Sequence, residues 1–130
     1  MTIKIIQVDD DYINNLANER LIKKLGISFE SHNFLDPSEA LDFLAKGENV
    51  PDFDLMLLDI NMPRFNGWEF LEMYKNHAGK FPIFMLTSSL DPNDQRRAAE
   101  HPLLTGFFVK PLTKDMMLEI FDQANLSVLE

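Results

Sequence analysis

No cysteine occurs anywhere in the chain, which removes disulfides and thiolate metal sites and fits a reducing compartment. Long apolar runs are also missing. Nothing approaches the roughly 18–20 consecutive residues that span a bilayer, so no membrane segment is expected. The opening residues, TIKIIQVDD, have neither a basic start nor an extended apolar stretch, which argues against a signal peptide and for a cytoplasmic location. Basic charge is scarce: 12 Lys and Arg stand against 21 Asp and Glu, a formal net charge of -9. With no segregated basic patch such a chain repels nucleic-acid phosphates, and no nucleic-acid partner is expected. Only five glycines are present, and no glycine-rich loop follows the first apolar segment, where a phosphate cradle would need one. Repeats and low-complexity segments are absent as well.

What is present organises itself around DLMLLDINMPRFNGW, Asp54 to Trp68. Leu55 to Leu58 are apolar at consecutive positions, the mark of a strand covered on both faces in a parallel sheet. That strand runs into Asp59, at the carboxyl end where ligands collect in open α/β sheets. Met62-Pro63 and then Asn66-Gly67 follow, the latter read as a turn whose glycine can take positive φ.

The rest of the chain alternates strands with helices. Ile3 to Val8 is a strand running into Asp9, Asp10 and Asp11. Ile13 to Leu25 is a helix with apolar positions at Ile13, Leu16, Ala17, Leu21 and Leu25, closed by Gly26. The more polar Ile27 to Phe34 reads as an edge strand. Asp36-Pro37-Ser38-Glu39 starts a helix to about Lys46, with Gly47 past its end. A third helix runs from about Trp68 to His77 with Phe70, Leu71 and Tyr74 inward. Pro82 to Leu86 is a strand ending in Thr87-Ser88-Ser89, and Asp91-Pro92 starts a helix through about Glu100. Gly106 to Val109 ends in Lys110-Pro111, and Thr113 caps a last helix through about Asn125. Strict alternation implies parallel strands, right-handed crossovers and helices on both faces. The expected architecture is a single α/β domain over residues 1–130, a flavodoxin-like, doubly wound five-stranded parallel sheet of order 2-1-3-4-5 with five helices. In that order Asp9, Asp10 and Asp59 share one crevice, and Thr87 and Lys110 line its rim.

Three carboxylates this close cannot all ionise unaided: either pKa values rise or a cation binds. Oxygen-only ligands in small number suit Mg²⁺ over zinc or calcium. A carboxylate nucleophile beside Mg²⁺, with an ammonium and a hydroxyl opposite, is suited to phosphoryl transfer. The acids after the first strand equally suit a cap for the first helix. Trp68 is left between packing at the base of the third helix and meeting a partner. His32, His77 and His101 show no ligand spacing and read as surface residues, and Arg96-Arg97 as a solvated helix face.

VDDD after the first strand, LLDINMP with Asn66-Gly67, LTSS after the fourth and FFVKP after the fifth together resemble the receiver domain of two-component response regulators (CheY-like). The resemblance covers essentially the whole chain. It implies a stand-alone receiver without an output domain, acting as a signalling switch or phosphorelay intermediate. Asp59 would be the phosphoacceptor, supplied by a histidine kinase or histidine phosphotransfer protein. Asp10 would bind Mg²⁺ directly, Asp9 largely through water, with Asp59 and the backbone carbonyl of Asn61 completing the protein ligands. Lys110 would contact the phosphoryl group, and Lys110-Pro111 would be cis. Thr87 and Phe107 would form the switch, resting on burial alone because phenylalanine has no hydroxyl. The downstream protein target is not implied, and slow loss of its own acyl phosphate is the only turnover expected. The rival is a small Mg²⁺-dependent phosphohydrolase resembling the haloacid dehalogenase class, with Asp9 as nucleophile and Asp11 completing its D-x-D. A nucleotide or flavin binder ranks below both.

Overall fold

A computed structural model describes residues 2–46, 52–77, 81–88 and 90–126. Five parallel strands, β1 (Ile3–Val8), β2 (Phe29–Phe34), β3 (Leu55–Asp59), β4 (Ile83–Thr87) and β5 (Gly106–Val109), form one sheet in the order β2-β1-β3-β4-β5. Five α-helices alternate with them: α1 (Tyr12–Lys24), α2 (Pro37–Ala45), α3 (Gly67–Tyr74), α4 (Pro92–Glu100) and α5 (Lys114–Gln123). A 3₁₀ turn, Lys75–His77, extends α3. This is the flavodoxin-like arrangement expected. Strands β1 and β3 are neighbours in register, Val8 opposite Leu58, so the residues that follow them emerge side by side.

The helix starts follow from the chain's own capping chemistry. Asp11, Asp36, Asn66, Asp91 and Thr113 each accept a backbone N–H of the first turn, satisfying donors that have no partner within the helix. Pro37 and Pro92 occupy first-turn positions where a missing N–H costs nothing.

Each face of the sheet has its own core. Ile6, Val8, Met56, Leu58, Phe70, Leu71 and Met85 meet α2, α3 and α4 on one side. Ile3, Ile5, Ile22, Leu57, Phe84, Met117 and Phe121 meet α1 and α5 on the other. Every residue of β3 and β4 is buried, as consecutive apolar runs require.

Several expectations need correcting. Only part of the apolar set Ile13, Leu16, Ala17, Leu21 and Leu25 faces the sheet: Leu21 and Leu25 pack against the core beside Ile22. Ile13 is 75% exposed, and the buried residues of the helix are Asn15, Asn18 and Ile22. Gly67 does not take positive φ; it is the first residue of α3, after the N-cap Asn66. The left-handed residue of that loop is Arg64, at φ 71°. Glycine is required at 67 for space, since a Cβ there would sit 2.5 Å from the backbone oxygen of Asp59 and 3.0 Å from the Cα of Ile60. Strand β2 starts at Phe29, and β4 includes Thr87 as its last residue. The expected roles of Gly47 and Ser89 fall outside the described residues. Among the described residues, no helix is long and apolar enough to cross a membrane.

Candidate functional site

The carboxyl ends of β1 and β3 bring Asp9, Asp10 and Asp59 together, with one carboxylate oxygen of each within 4.8 Å of the others. Asp9 and Asp59 are 3% and 5% exposed, whereas Asp10 faces solvent. The cis peptide Lys110-Pro111 follows β5, and the Lys110 amide donates to the Thr87 carbonyl at 2.7 Å. The lysine side chain bridges two of the acids, its Nζ 2.7 Å from Asp9 Oδ2 and 3.2 Å from Asp59 Oδ1. Thr87 is fully buried at the end of β4, one step beyond Leu86, which pairs with Asp59. All five side chains expected at the crevice therefore stand at its four strand ends.

Charge is incompletely compensated there. Burial and, next, the neighbouring Asp9 carboxylate push Asp59 up to about 6, against the pull of Lys110 and a backbone hydrogen bond from Asn61. Burial works against the charge of Lys110, but its contacts with Asp9 and Asp59 outweigh that and leave its pKa above the ordinary lysine value. Lys110 thus stays an ammonium, and one ammonium serves two buried carboxylates with a third beside them. A divalent cation would complete the balance. The donor set is oxygen only, partly solvated through Asp10 and small in number, which fits Mg²⁺ with several of its waters retained.

Asp11 stands apart from this set. Its Oδ1 accepts from the Ile13 and Asn14 amides at 3.0 and 3.2 Å, so its carboxylate caps α1. The phosphohydrolase alternative needs that acid at the reacting centre, and the cap takes it away.

Sequence reasoning missed a set of amides behind Asp9. Asn14 Nδ2 donates to Asp9 Oδ2 at 2.8 Å, and Asn15 Nδ2 donates to the Asp9 carbonyl at 3.2 Å. Deeper in, Gln7 Oε1 accepts from Asn18 Nδ2 at 2.9 Å, while Gln7 Nε2 reaches Asn33 Oδ1 at 3.0 Å on the edge strand. The available signal was Asn14, Asn15 and Asn18 at helical spacing opposite a glutamine in a strand otherwise apolar.

On the far side of Asp59, Trp68 is buried rather than offered to a partner. Its Nε1 donates to Asp94 Oδ1 at 3.3 Å, the Arg97 guanidinium lies 4.6 Å from its ring centroid, and His101 lies 6.0 Å away. Arg97 lies on the exposed helix face expected and also reaches a ring from α3, while His101 beside that ring and His32, 5.1 Å from Phe53, are half-buried rather than surface residues. Phe107 is half-buried and lines a cavity of about 250 Å³ between α4 and β5, with Gln95, Ala98 and Leu104.

A family model for the response regulator receiver domain matches residues 5–122. The chain is 28% identical over 121 residues to two-component response regulator 24 of Arabidopsis thaliana, covering 93% of this chain and 83% of that one. It is 32% identical over 120 residues to the transcriptional regulatory protein FlgR of Helicobacter pylori, covering 90% of this chain but 28% of that longer one. A crystal structure of a two-component response regulator from Cytophaga hutchinsonii superposes with a TM-score of 0.81 at 29% identity, covering 94% of this chain and 96% of the other. Sheet order, strand-end acids, bridging lysine and these matches agree, and the chain belongs to the response regulator receiver domains of two-component systems.

Proposed function

We propose that this receiver accepts a phosphoryl group on Asp59, in an Mg²⁺-dependent reaction, from a histidine kinase or a histidine phosphotransfer protein. The carrying observation is the meeting of Asp9, Asp10 and Asp59 within 4.8 Å, with Lys110 joining the two buried members. A cation held by Asp10, Asp59, the Asn61 carbonyl and, through water, Asp9 would supply charge neutralisation at the transferring group.

The chain's own residues divide the remaining work. An Asp59 oxygen attacks phosphorus as the bond from phosphorus to the donor breaks, and the product is an acyl phosphate. With a pKa near 6 the Asp59 carboxyl is mostly ionised at neutral pH, the form the attack needs. Lys110, kept protonated by its two acidic partners, shifts its contact from the Asp59 carboxylate to the incoming oxygens. Asp9 is a poorer nucleophile, because its Oδ2 already takes Lys110 and Asn14 and its Oδ1 takes the Asp11 amide at 2.9 Å.

Output follows from Thr87 and Phe107. Thr87 turns its hydroxyl toward a phosphoryl oxygen, and the Phe107 ring moves into the room so released. The signal then passes to a protein target rather than to nucleic acid.

The test is incubation with acetyl phosphate, with Mg²⁺ or with chelator, followed by mapping of the hydroxylamine-sensitive adduct by mass spectrometry. Label on Asp59, lost in Asp59→Asn and dependent on Mg²⁺, is the expected result. Label on Asp9, or label that survives Asp59→Asn, sinks the assignment.

A further inference from the structure

Asp9 is restrained more heavily than either of its acidic neighbours. Consecutive residues in the first turn of α1 hold it at both ends, Asn14 at the carboxylate (2.8 Å) and Asn15 at the main-chain carbonyl (3.2 Å). Asn14 Nδ2 takes the same oxygen as Lys110, while the Asp11 amide takes the other. A carboxylate offers about four lone-pair positions, so three filled positions fix its plane and leave about one directed at the crevice.

An asparagine is not what the helix itself favours at this place. Third in the helix, Asn14 occupies a position where glutamate or aspartate would help both capping and the helix dipole, yet α1 has no acid in its first turn. An acid there would add a fourth negative charge to the cluster. An amide instead donates a hydrogen bond while leaving the charge of Asp9 intact, which Lys110 does not.

We infer that Asn14 is a positioning residue for divalent-cation binding: by holding Asp9 Oδ2 it aims the remaining lone pair of Asp9 at the ion or at its water. The inference rests on the Mg²⁺ reading above. Partners of this outer kind typically change metal affinity by about 10–100-fold when removed, and a single neutral donor belongs at the low end of that range.

Binding of Mn²⁺, used as the spectroscopic stand-in for Mg²⁺, is read directly by electron paramagnetic resonance on the full chain. Asn14→Ala and Asn14→Leu are each expected to weaken it about tenfold, and Asn14→Gln, which keeps the donor, to stay within about threefold of the parent. Unfolding by urea in chelator separates this from a structural effect. Alanine is a better helix former than asparagine and offsets part of the lost hydrogen bond to Asp9, so Asn14→Ala should lose only a modest part of its stability and stay folded where Mn²⁺ is bound. Affinities of the alanine and leucine variants within twofold of the parent overturn the inference. So does a loss of affinity accounted for by unfolding of the variant, or a glutamine variant as weak as the leucine one. A parent chain that binds no Mn²⁺ refutes the metal reading itself, a different failure.

Discussion

The two faces of the sheet reach the same crevice by opposite means. On the α2–α3–α4 side β1 and β3 stay apolar to their ends, through Val8 and Leu58 and on to Ile60 and Met62, while β4 passes from Met85 to the buried Thr87. On the α1–α5 side β1 begins with Ile3 and Ile5, then turns to Gln7 and Asp9, and α1 answers with Asn15 and Asn18. Apolar packing is strong but indifferent to small rotations of a side chain, because dispersion has no direction. Hydrogen bonds are weaker net and directional. Asp9 and Asp59 both project to the α1–α5 side, Asp9 in line with Gln7 and Asp59 in line with Leu55 and Leu57. Amides hold the first and an apolar strand carries the second, so one acid is oriented and the other is presented on a rigid strand.

Truncating the apolar face gives the largest expected loss. Phe70 is completely buried, and Phe70→Ala should cost about 3–5 kcal/mol of stability by urea denaturation. A loss below about 1 kcal/mol would mean that this face is loosely filled and would erase the contrast.

Asp59 supplies the next effect, with a sign set by its environment. Its pKa of about 6 lies above the ordinary 3.8, so the folded chain binds that proton more tightly than the unfolded chain does. In chelator, stability should be greatest in acid on this account, and it should fall as pH rises through the interval from about 4 to about 6. Asp59→Asn should therefore be more stable than the parent at pH 7.5, by on the order of 2 kcal/mol, with the gap closing toward pH 4.5. A constant gap across that range would contradict the cause given.

The amide face breaks differently. Gln7→Leu leaves Asn18 buried without its acceptor and should cost about 1–3 kcal/mol, the desolvation penalty of an orphaned group. Gln7→Leu with Asn18→Leu removes both partners and should be less destabilised than the single change. Additive losses would show that the amides act independently. Smallest is Arg97→Ala, expected to cost about 0.5–1 kcal/mol through loss of the cation–π contact with Trp68.

The contrast also explains what the sequence made legible. Apolar continuity in β3 and β4, proline after a capping aspartate in α2 and α4, and an acid or lysine at a strand end each have a single local cause, and each stood where expected. The adjacency of β1 and β3 is legible because strict alternation restricts the topology. Helix α1 matches its apolar pattern at Leu21 and Leu25 but departs from it nearer its start, where the buried side chains are the amides of Asn15 and Asn18 and hydrophobic periodicity sees only apolar ones. It therefore selected Ile13, which points outward. Gly67 was misread for a related reason. A glycine is kept there by a backbone oxygen from a different strand, and no local turn signal encodes that neighbour.

Trp68 is the only tryptophan in the chain, and its ring is clasped between the start of α3 and the charged groups of α4. The molecule consequently carries its own optical gauge. Any sliding of the fourth helix against the third changes what surrounds the indole, and the emission colour of the unlabelled protein reports the event as it happens.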